Sequence, residues 1–338
     1  MEHRLKIIAD NKIPFLKGRI ECLGEVEYAD PASFTPQMVK DADILVVRTR
    51  TRCDASLLEG SSVRLVVTAT IGTDHIDLDW CAANGITVRN AIGCNAPGVA
   101  QYVWSSLLRN GFDPRTDTLG IVGYGHVGSI VAGWGRMLGC RVLVCDPPRK
   151  KAGMKDVDYL GLEQLLHDSD AVSLHTPLTR EGDDATYHLI GTERLEMLKR
   201  GAILINSSRG GVVDNAAWRE HLREGRTKAI IDTWENEPGI DRELLAMATI
   251  ATPHIAGYSL EGKQRATRMA LEAIEEYTGV MLDKSGLEKG YVMPAAIATE
   301  EICSSYNPFA DTVALRSAPE DFERLRGDYD YRKEPSFK

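Results

Sequence analysis

Residues 119–128 read LGIVGYGHVG, an apolar run that passes straight into glycines at 123, 125 and 128. Beyond them Val127, Ile130, Val131, Trp134, Met137 and Leu138 recur at helical spacing until Gly139, a natural stop. A strand that turns through glycines into an amphipathic helix is the opening half of a βαβ unit, whose strands run parallel under covering helices. Gly123 suits the tight turn, Gly125 leaves backbone bare for a close approach, and Gly128 lets the helix press on the strand.

The next apolar run, RVLVC, ends in Asp146, 146 − 128 = 18 residues beyond the last glycine. That spacing puts a carboxylate where the ribose diol of a dinucleotide would be read, while the helix N-terminus offers free N–H groups to the pyrophosphate. The carboxylate favours NAD over NADP, because it would repel a 2′-phosphate. Arg149, Lys150 and Lys151 follow closely and read as a solvated turn.

The same alternation runs along most of the chain. Short apolar runs at 5–9, 44–47, 64–67 and 86–88, then at 119–122, 141–145, 171–174, 202–206, 228–232 and 250–252, are separated by helical patterns. This predicts an α/β fold of two doubly wound parallel-sheet domains, Rossmann-like or flavodoxin-like, with ligands in a cleft between them. Two long amphipathic segments, 98–110 and the one after Ser259, bracket the second domain. The expected division is 1–96 with 259–283 for substrate, 97–258 for the dinucleotide, and 284–338 as a short C-terminal dimerisation segment. Ser317 and Glu320 have capping-box spacing, which predicts a short helix beginning there.

A formal charge of −9 leaves no surplus of Lys and Arg to displace counterions, which argues against general affinity for nucleic acid or an anionic membrane. No run approaches the ~18 apolar residues of a membrane span, and MEHRLKIIAD lacks the apolar core of a signal peptide, so a cytoplasmic protein is expected. The seven cysteines are odd in number and form no CxxC pair, and the histidines show no short ligand spacing, so neither a disulfide framework nor a metal is expected.

Three polar residues fall just past the ends of successive strands: Arg209 after AILINSS, Glu237 after KAIIDTWEN and His254 after TIATP. Carboxyl ends of strands line the ligand crevice of a wound sheet, so the three are expected to converge. With them, GYGHVG (123–128), HTPL (175–178), INSSRGGVVD (205–214), DTWENEP (232–238) and HIAG (254–257) resemble the D-isomer-specific 2-hydroxyacid dehydrogenases. TATIGTDHID (68–77), GCNA (93–96), CDPPR (145–149), HIAGYSLEGK (254–263) and FERLRGDYDYRKE (322–334) are similar to the branch that oxidises 4-phosphoerythronate in vitamin B6 biosynthesis.

The resemblance implies that Arg209 holds the substrate carboxylate, that His254 takes the hydroxyl proton as hydride leaves for NAD, and that Glu237 orients the imidazole. It assigns Gly123, Gly125, His126, Val127, Gly128, Asp146, Thr176, Asp232 and Gly257 to the cofactor, and Thr49, Thr70 and Tyr258 to the substrate. Arg48, and with it Arg50, is expected to bind the phosphate: alternate residues of an extended strand share a face. A homodimer, and a 2-oxo acid that re-oxidises the cofactor, are also implied. The rival readings are another enzyme of the same superfamily, such as a 3-phosphoglycerate dehydrogenase or a hydroxypyruvate or glyoxylate reductase, and a nucleotide-sensing module without turnover. The FERLRGDYDYRKE tail and the complete Arg209, Glu237 and His254 set speak against these.

Overall fold

The computed structural model describes residues 4–337. The chain divides into two compact units, one made of the residues up to Asn95 with Leu260–Tyr291, the other of Ala96–Ser259 with Val292–Lys338.

The first unit holds strands β1 (Leu5–Asp10), β2 (Gly24–Ala29), β3 (Ile44–Val47), β4 (Leu65–Thr68) and β5 (Thr87–Asn90). They form one parallel sheet in the order β2-β1-β3-β4-β5. β3 and β4 are buried along their whole length, as the unbroken apolar runs require of strands covered on both faces. The helix Leu260–Thr278 lays Ala270, Leu271 and Ile274 against Ile7, Val46 and Val67 of this sheet. Two readings of the sequence need correction here. β2 escaped notice because its sequence, GEVEYA, carries two glutamates; it lies at the sheet's edge, where solvent accepts them. The fifth strand begins at Thr87 and runs to Asn90, later than the apolar run at 86–88 suggested.

The second unit carries β6 (Thr118–Val122), β7 (Arg141–Cys145), β8 (Ala171–Leu174), β9 (Ile203–Asn206), β10 (Lys228–Ile231) and β11 (Ile250–Ala251). All are parallel, in the order β11-β10-β9-β8-β6-β7. The register lines up Val122 with Leu174, Leu174 with Asn206, Asn206 with Ile231, and Ile231 with Ala251. One row of strand ends therefore delivers the glycine turn, His175–Thr176, Ser207–Arg209, Asp232 and Thr252–His254 to the same edge. The chain reverses its direction of travel across the sheet between β6 and β8, the switch point at which wound sheets open a crevice.

The C-terminal segment belongs to this second unit. Leu315 and Phe322 are fully buried in the core that also holds Leu174, Leu204 and Trp218, and sequestering a side chain such as Phe322 contributes roughly 1.5–3 kcal/mol. The capping-box reading of Ser317 was wrong. Ser317 closes the helix Pro308–Ser317, donating its hydroxyl back to Val313 O at 2.8 Å, and Pro319 starts a single 3₁₀ turn before the helix Phe322–Gly327. Spacing alone could not show that the helix had already been running since Pro308. None of the helices is long and apolar enough to cross a membrane, among the described residues.

Candidate active site

The end of β11 sets the histidine. Pro253 has no N–H, and His254 adopts the left-handed φ of +57°, a conformation that costs a non-glycine residue roughly 1–3 kcal/mol and persists only where surroundings enforce it. The enforcing group is Asp232, 1% exposed at the end of β10. Its backbone carbonyl accepts from His254 N at 2.9 Å, and its carboxylate accepts from Thr252 Oγ1 at 2.7 Å, Ile255 N at 2.8 Å and Ala256 N at 3.0 Å. Burial pushes the Asp232 carboxyl upward against the pull of His254 and those donors. Asp232, expected on the nicotinamide side, therefore also moulds the loop that bears the histidine.

Glu237 stands at the turn after β10, preceded by Asn236 at φ +61° and joined to Pro238 by a cis peptide bond. Oε1 accepts from Trp234 N at 2.8 Å, and Oε2 faces His254 Nδ1 at 2.9 Å. Burial opposes ionisation of this carboxyl, but the charge and hydrogen bond of His254, the Trp234 N–H and Arg326 together hold it below the usual carboxylate range. A carboxylate on Nδ1 keeps the proton there, so the neutral ring presents Nε2 as an acceptor. Tautomer and direction are thus fixed by one contact.

Arg209 lies in the turn after β9. Asn206 Nδ2 donates to Arg209 O at 3.0 Å, and Arg209 Nη1 donates to Ser208 O at 2.8 Å. Gly210 explains the following glycine: a Cβ there would sit 1.9 Å from Trp234 O, so only a bare backbone brings this turn against the segment that leads to Glu237. Arg209, Glu237 and His254 accordingly come from three neighbouring strand ends in one unit.

The glycine turn closes as its spacing required. Gly123 has φ +89° with His175 O 2.6 Å from where its Cβ would be, and a Cβ on Gly128 would lie 2.0 Å from Gly123 O. Gly125 differs, since nothing lies within 4 Å of its Cβ position. It and His126 are exposed at the start of the helix His126–Met137. Beside the turn, Thr176 Oγ1 is buried without a hydrogen-bond partner, as is Ser207 Oγ at the neighbouring strand end. Bare backbone, an open helix N-terminus and an orphaned hydroxyl fit a dinucleotide, with Gly123–Gly128 and Thr176 against its pyrophosphate side. Asp146 closes the end of β7, accepting from Tyr124 N at 2.7 Å and Arg149 N at 3.0 Å. Arg149 pairs with Asp156 and Lys151 with Asp184, both at 2.8 Å, so these two cations of the basic run are spent on protein carboxylates rather than offered to a 2′-phosphate.

The expected substrate contacts of the first unit are less simple. Arg48 forks onto Asp10, which is fully buried, with Nε 2.9 Å from Oδ2 and Nη2 3.3 Å from Oδ1. β3 stops at Val47, and residues 48–51 make a turn closed by Thr51 N on Arg48 O at 3.2 Å, so Arg48 and Arg50 do not share the face of an extended strand as the sequence suggested. Thr49 and Arg50 are exposed, and the Thr70 hydroxyl is engaged locally, 2.7 Å from Thr68 Oγ1 and 3.3 Å from Gly72 O.

Residues the sequence reading passed over complete the histidine's surroundings. Arg332, 9% exposed, donates to Gly98 O at 3.1 Å, Ile255 O at 2.9 Å and Tyr258 O at 3.3 Å, also to Ala256 O, and Nε meets Gln101 Oε1 at 2.9 Å. The C-terminal segment thus pins the carbonyls of the loop after His254. Gln101 is fully buried and binds the same segment through Lys333 O and Ser305 Oγ. Arg326 places Nε 3.3 Å from Tyr258 Oη and Nη1 3.9 Å from Glu237 Oε2. The sequence signal for Arg326 and Arg332 was the distinctive FERLRGDYDYRKE run itself, and Gln101 lies outside it. Elsewhere His188, Asp214 and Glu235 bring metal-ligand-type atoms within 4.8 Å of one another. His188 Nε2 is hydrogen-bonded to Glu235 Oε1 at 2.7 Å, and Nδ1 lies 3.6 Å from Asp214 Oδ2, beyond hydrogen-bond range.

Residues 89–256 match the D-isomer specific 2-hydroxyacid dehydrogenase, NAD binding domain. The chain is 45% identical over 339 residues to the erythronate-4-phosphate dehydrogenase of Bacteroides fragilis, covering 98% of this chain and 97% of that one. It is 46% identical over 299 residues to the Pseudomonas fluorescens protein of the same name, covering 87% and 77%. Among solved structures, NAD-bound 3-phosphoglycerate dehydrogenase of Entamoeba histolytica superposes with a TM-score of 0.68 at 25% identity, over 85% of this chain and 99% of that one. With a glycine turn at the switch point, a histidine–glutamate pair on adjacent strand ends and full-length relatives at this level of identity, the chain belongs to the D-isomer specific 2-hydroxyacid dehydrogenase family and is an NAD-dependent dehydrogenase.

Proposed function

We propose that this protein oxidises 4-phospho-D-erythronate to 3-hydroxy-2-oxo-4-phosphooxybutanoate, a step of vitamin B6 biosynthesis. The observation that carries the reading is the 2.9 Å contact between His254 Nδ1 and Glu237 Oε2, which leaves Nε2 free to receive a hydroxyl proton. The relatives named for this activity, 39–46% identical to the chain, support the choice of substrate.

His254 removes the proton of the C2 hydroxyl, and the charge that the ring gains is stabilised by Glu237. Arg209 holds the carboxylate, whose two oxygens match the guanidinium fork, and fixes C2 relative to the base. The Gly123–Gly128 turn, Asp146, Thr176, Asp232 and Gly257 would hold NAD, which would supply the hydride acceptor. Arg48, Thr49, Thr70 and Tyr258 are the remaining substrate contacts in this reading. The protein works in the cytoplasm as a homodimer, and a 2-oxo acid serves as the eventual electron acceptor.

The test is turnover of 4-phosphoerythronate, 3-phosphoglycerate and erythronate, each with and without 2-oxoglutarate, followed by nicotinamide fluorescence. Selective turnover of the first, sustained only with the oxo acid, is expected. Equal or better use of 3-phosphoglycerate would move the protein to another branch of the family and retire the proposal.

A further inference from the structure

The C-terminal helix Phe322–Gly327 brings a guanidinium to the catalytic pair. The Arg326 side chain is 17% exposed, as is that of Glu237, so it stands in the wall of the site and not on an outer surface. Its Nε is used on Tyr258 Oη at 3.3 Å. Its Nη1 is 3.9 Å from Glu237 Oε2, beyond hydrogen-bond range, and that oxygen already faces His254. Among the described residues no acceptor takes a hydrogen bond from either Nη. A guanidinium carries five N–H donors, and the pair of terminal nitrogens forms the flat edge that grips an oxyanion with two parallel bonds.

The surroundings say what that edge is for. Burial disfavours the charge of Arg326, yet its nearest carboxylate is shared with the histidine, and once His254 takes a proton the cluster of Glu237, His254 and Arg326 carries a net positive charge. An incoming anion relieves that imbalance. The proposed substrate has two anionic ends: its carboxylate has Arg209, while of the two cations first expected for its phosphate Arg48 is already offset by a fully buried Asp10 and Arg50 is exposed on the turn after β3. Tyr258, expected on the substrate, is the residue that steers the Arg326 fork.

We propose that Arg326 binds the substrate's phosphate and sets the preference for a phosphorylated acid. This rests on the reading of the protein as a 4-phosphoerythronate dehydrogenase. The alternative is a positioning role, in which Arg326 merely keeps Glu237 ionised.

The experiment compares wild type, Arg326→Met and Arg326→Lys as NAD-loaded full-length proteins. It measures kcat and KM for 4-phosphoerythronate and erythronate, and inhibition of erythronate oxidation by inorganic phosphate. Loss of a bidentate charged contact predicts that the ratio of kcat/KM for phosphorylated over plain substrate falls at least about tenfold in Arg326→Met, chiefly through KM, with inhibition by phosphate weakened in parallel. Arg326→Lys keeps the charge without the fork and should fall between; it decides the question if the Met variant does not fold. An unchanged ratio, with both substrates losing kcat equally and phosphate inhibition intact, overturns the proposal in favour of positioning. If wild type shows no preference for the phosphorylated acid, the substrate reading fails separately. Phosphate inhibition in wild type against the variants then decides the role of Arg326: equal inhibition overturns it, and weakened inhibition upholds the anion site.

Discussion

Replacing Glu237 by Gln changes one oxygen to an NH2 and exposes how the pair works. Glu237 accepts from two donors at once, Trp234 N at 2.8 Å and the Nδ1 side of His254 at 2.9 Å. A carboxamide has one oxygen. If it keeps the Trp234 bond, its NH2 meets Nδ1, and the ring answers by moving its proton to Nε2, where the base is needed. If it keeps the histidine, the Trp234 N–H faces a second donor. The lost charged hydrogen bond is worth about 1.5–3 kcal/mol, a factor of about 10–100 in rate. A wrong tautomer adds to this, up to about 10⁴ where the orienting carboxylate of a catalytic triad becomes an amide. We therefore expect kcat/KM for oxidation to fall by about 10²–10⁴ with NAD affinity within about threefold, measured by stopped-flow NADH formation and by fluorescence titration. The variant has a second signature. A carboxyl held below its ordinary range stabilises the fold above its unfolded pKa, and that contribution is lost as pH falls through the depressed folded value. Wild type should therefore lose more stability on acidification below about pH 4.5 than Glu237→Gln. A loss of less than about threefold in kcat/KM, with identical acid unfolding, would refute the dyad.

Other outcomes follow from the same geometry. Gly125→Ala, with open space around the new methyl, should fold with nearly unchanged Tm yet weaken NAD binding, whereas Gly128→Ala, 2.0 Å from Gly123 O, should lower Tm as well; calorimetry and NAD titration separate the two. Arg332→Met removes a donor from each of the carbonyls of Gly98, Ile255 and Ala256, Ile255 O keeping only Tyr258 N at 2.8 Å, and should destabilise the protein by roughly 2–5 kcal/mol in urea unfolding, with kcat falling more than KM because the loop after His254 loses its anchor. Burial raises the thiol of Cys53 to about 12 and those of Cys140 and Cys145 to about 11, while Cys22 is exposed. A thiol titration at pH 8 should find one fast-reacting group per native chain, abolished by Cys22→Ser.

Local pattern carried a large part of this protein. The run into GYGHVG specified strand, turn and helix because Gly123 takes the positive φ of the turn and Gly128 comes up against Gly123 O just behind it, and the buried strands announced themselves as unbroken apolar runs. Arg209, Glu237 and His254 were legible for a related reason: in a parallel sheet the residue after a strand is at a known edge, so sequence position translates into spatial position. The glutamate-rich edge strand β2 and the false helix start at Ser317 mark where such local rules fail, since a solvated edge tolerates charge and a capping spacing says nothing of what precedes it.

What only the tertiary structure decided are contacts between distant segments. Asp232 holds the loop of His254 in a left-handed turn that no propensity favours, and Arg48 is committed to Asp10 across two strands. Arg326 meets Glu237 across 326 − 237 = 89 residues, and Arg332 reaches Gly98 across 332 − 98 = 234. A guanidinium reads the same in a sequence whether it is solvated, paired or aimed at a substrate. Its role is set by which acceptors the folded chain brings within about 3 Å, and that is a property of packing and not of spacing along the chain.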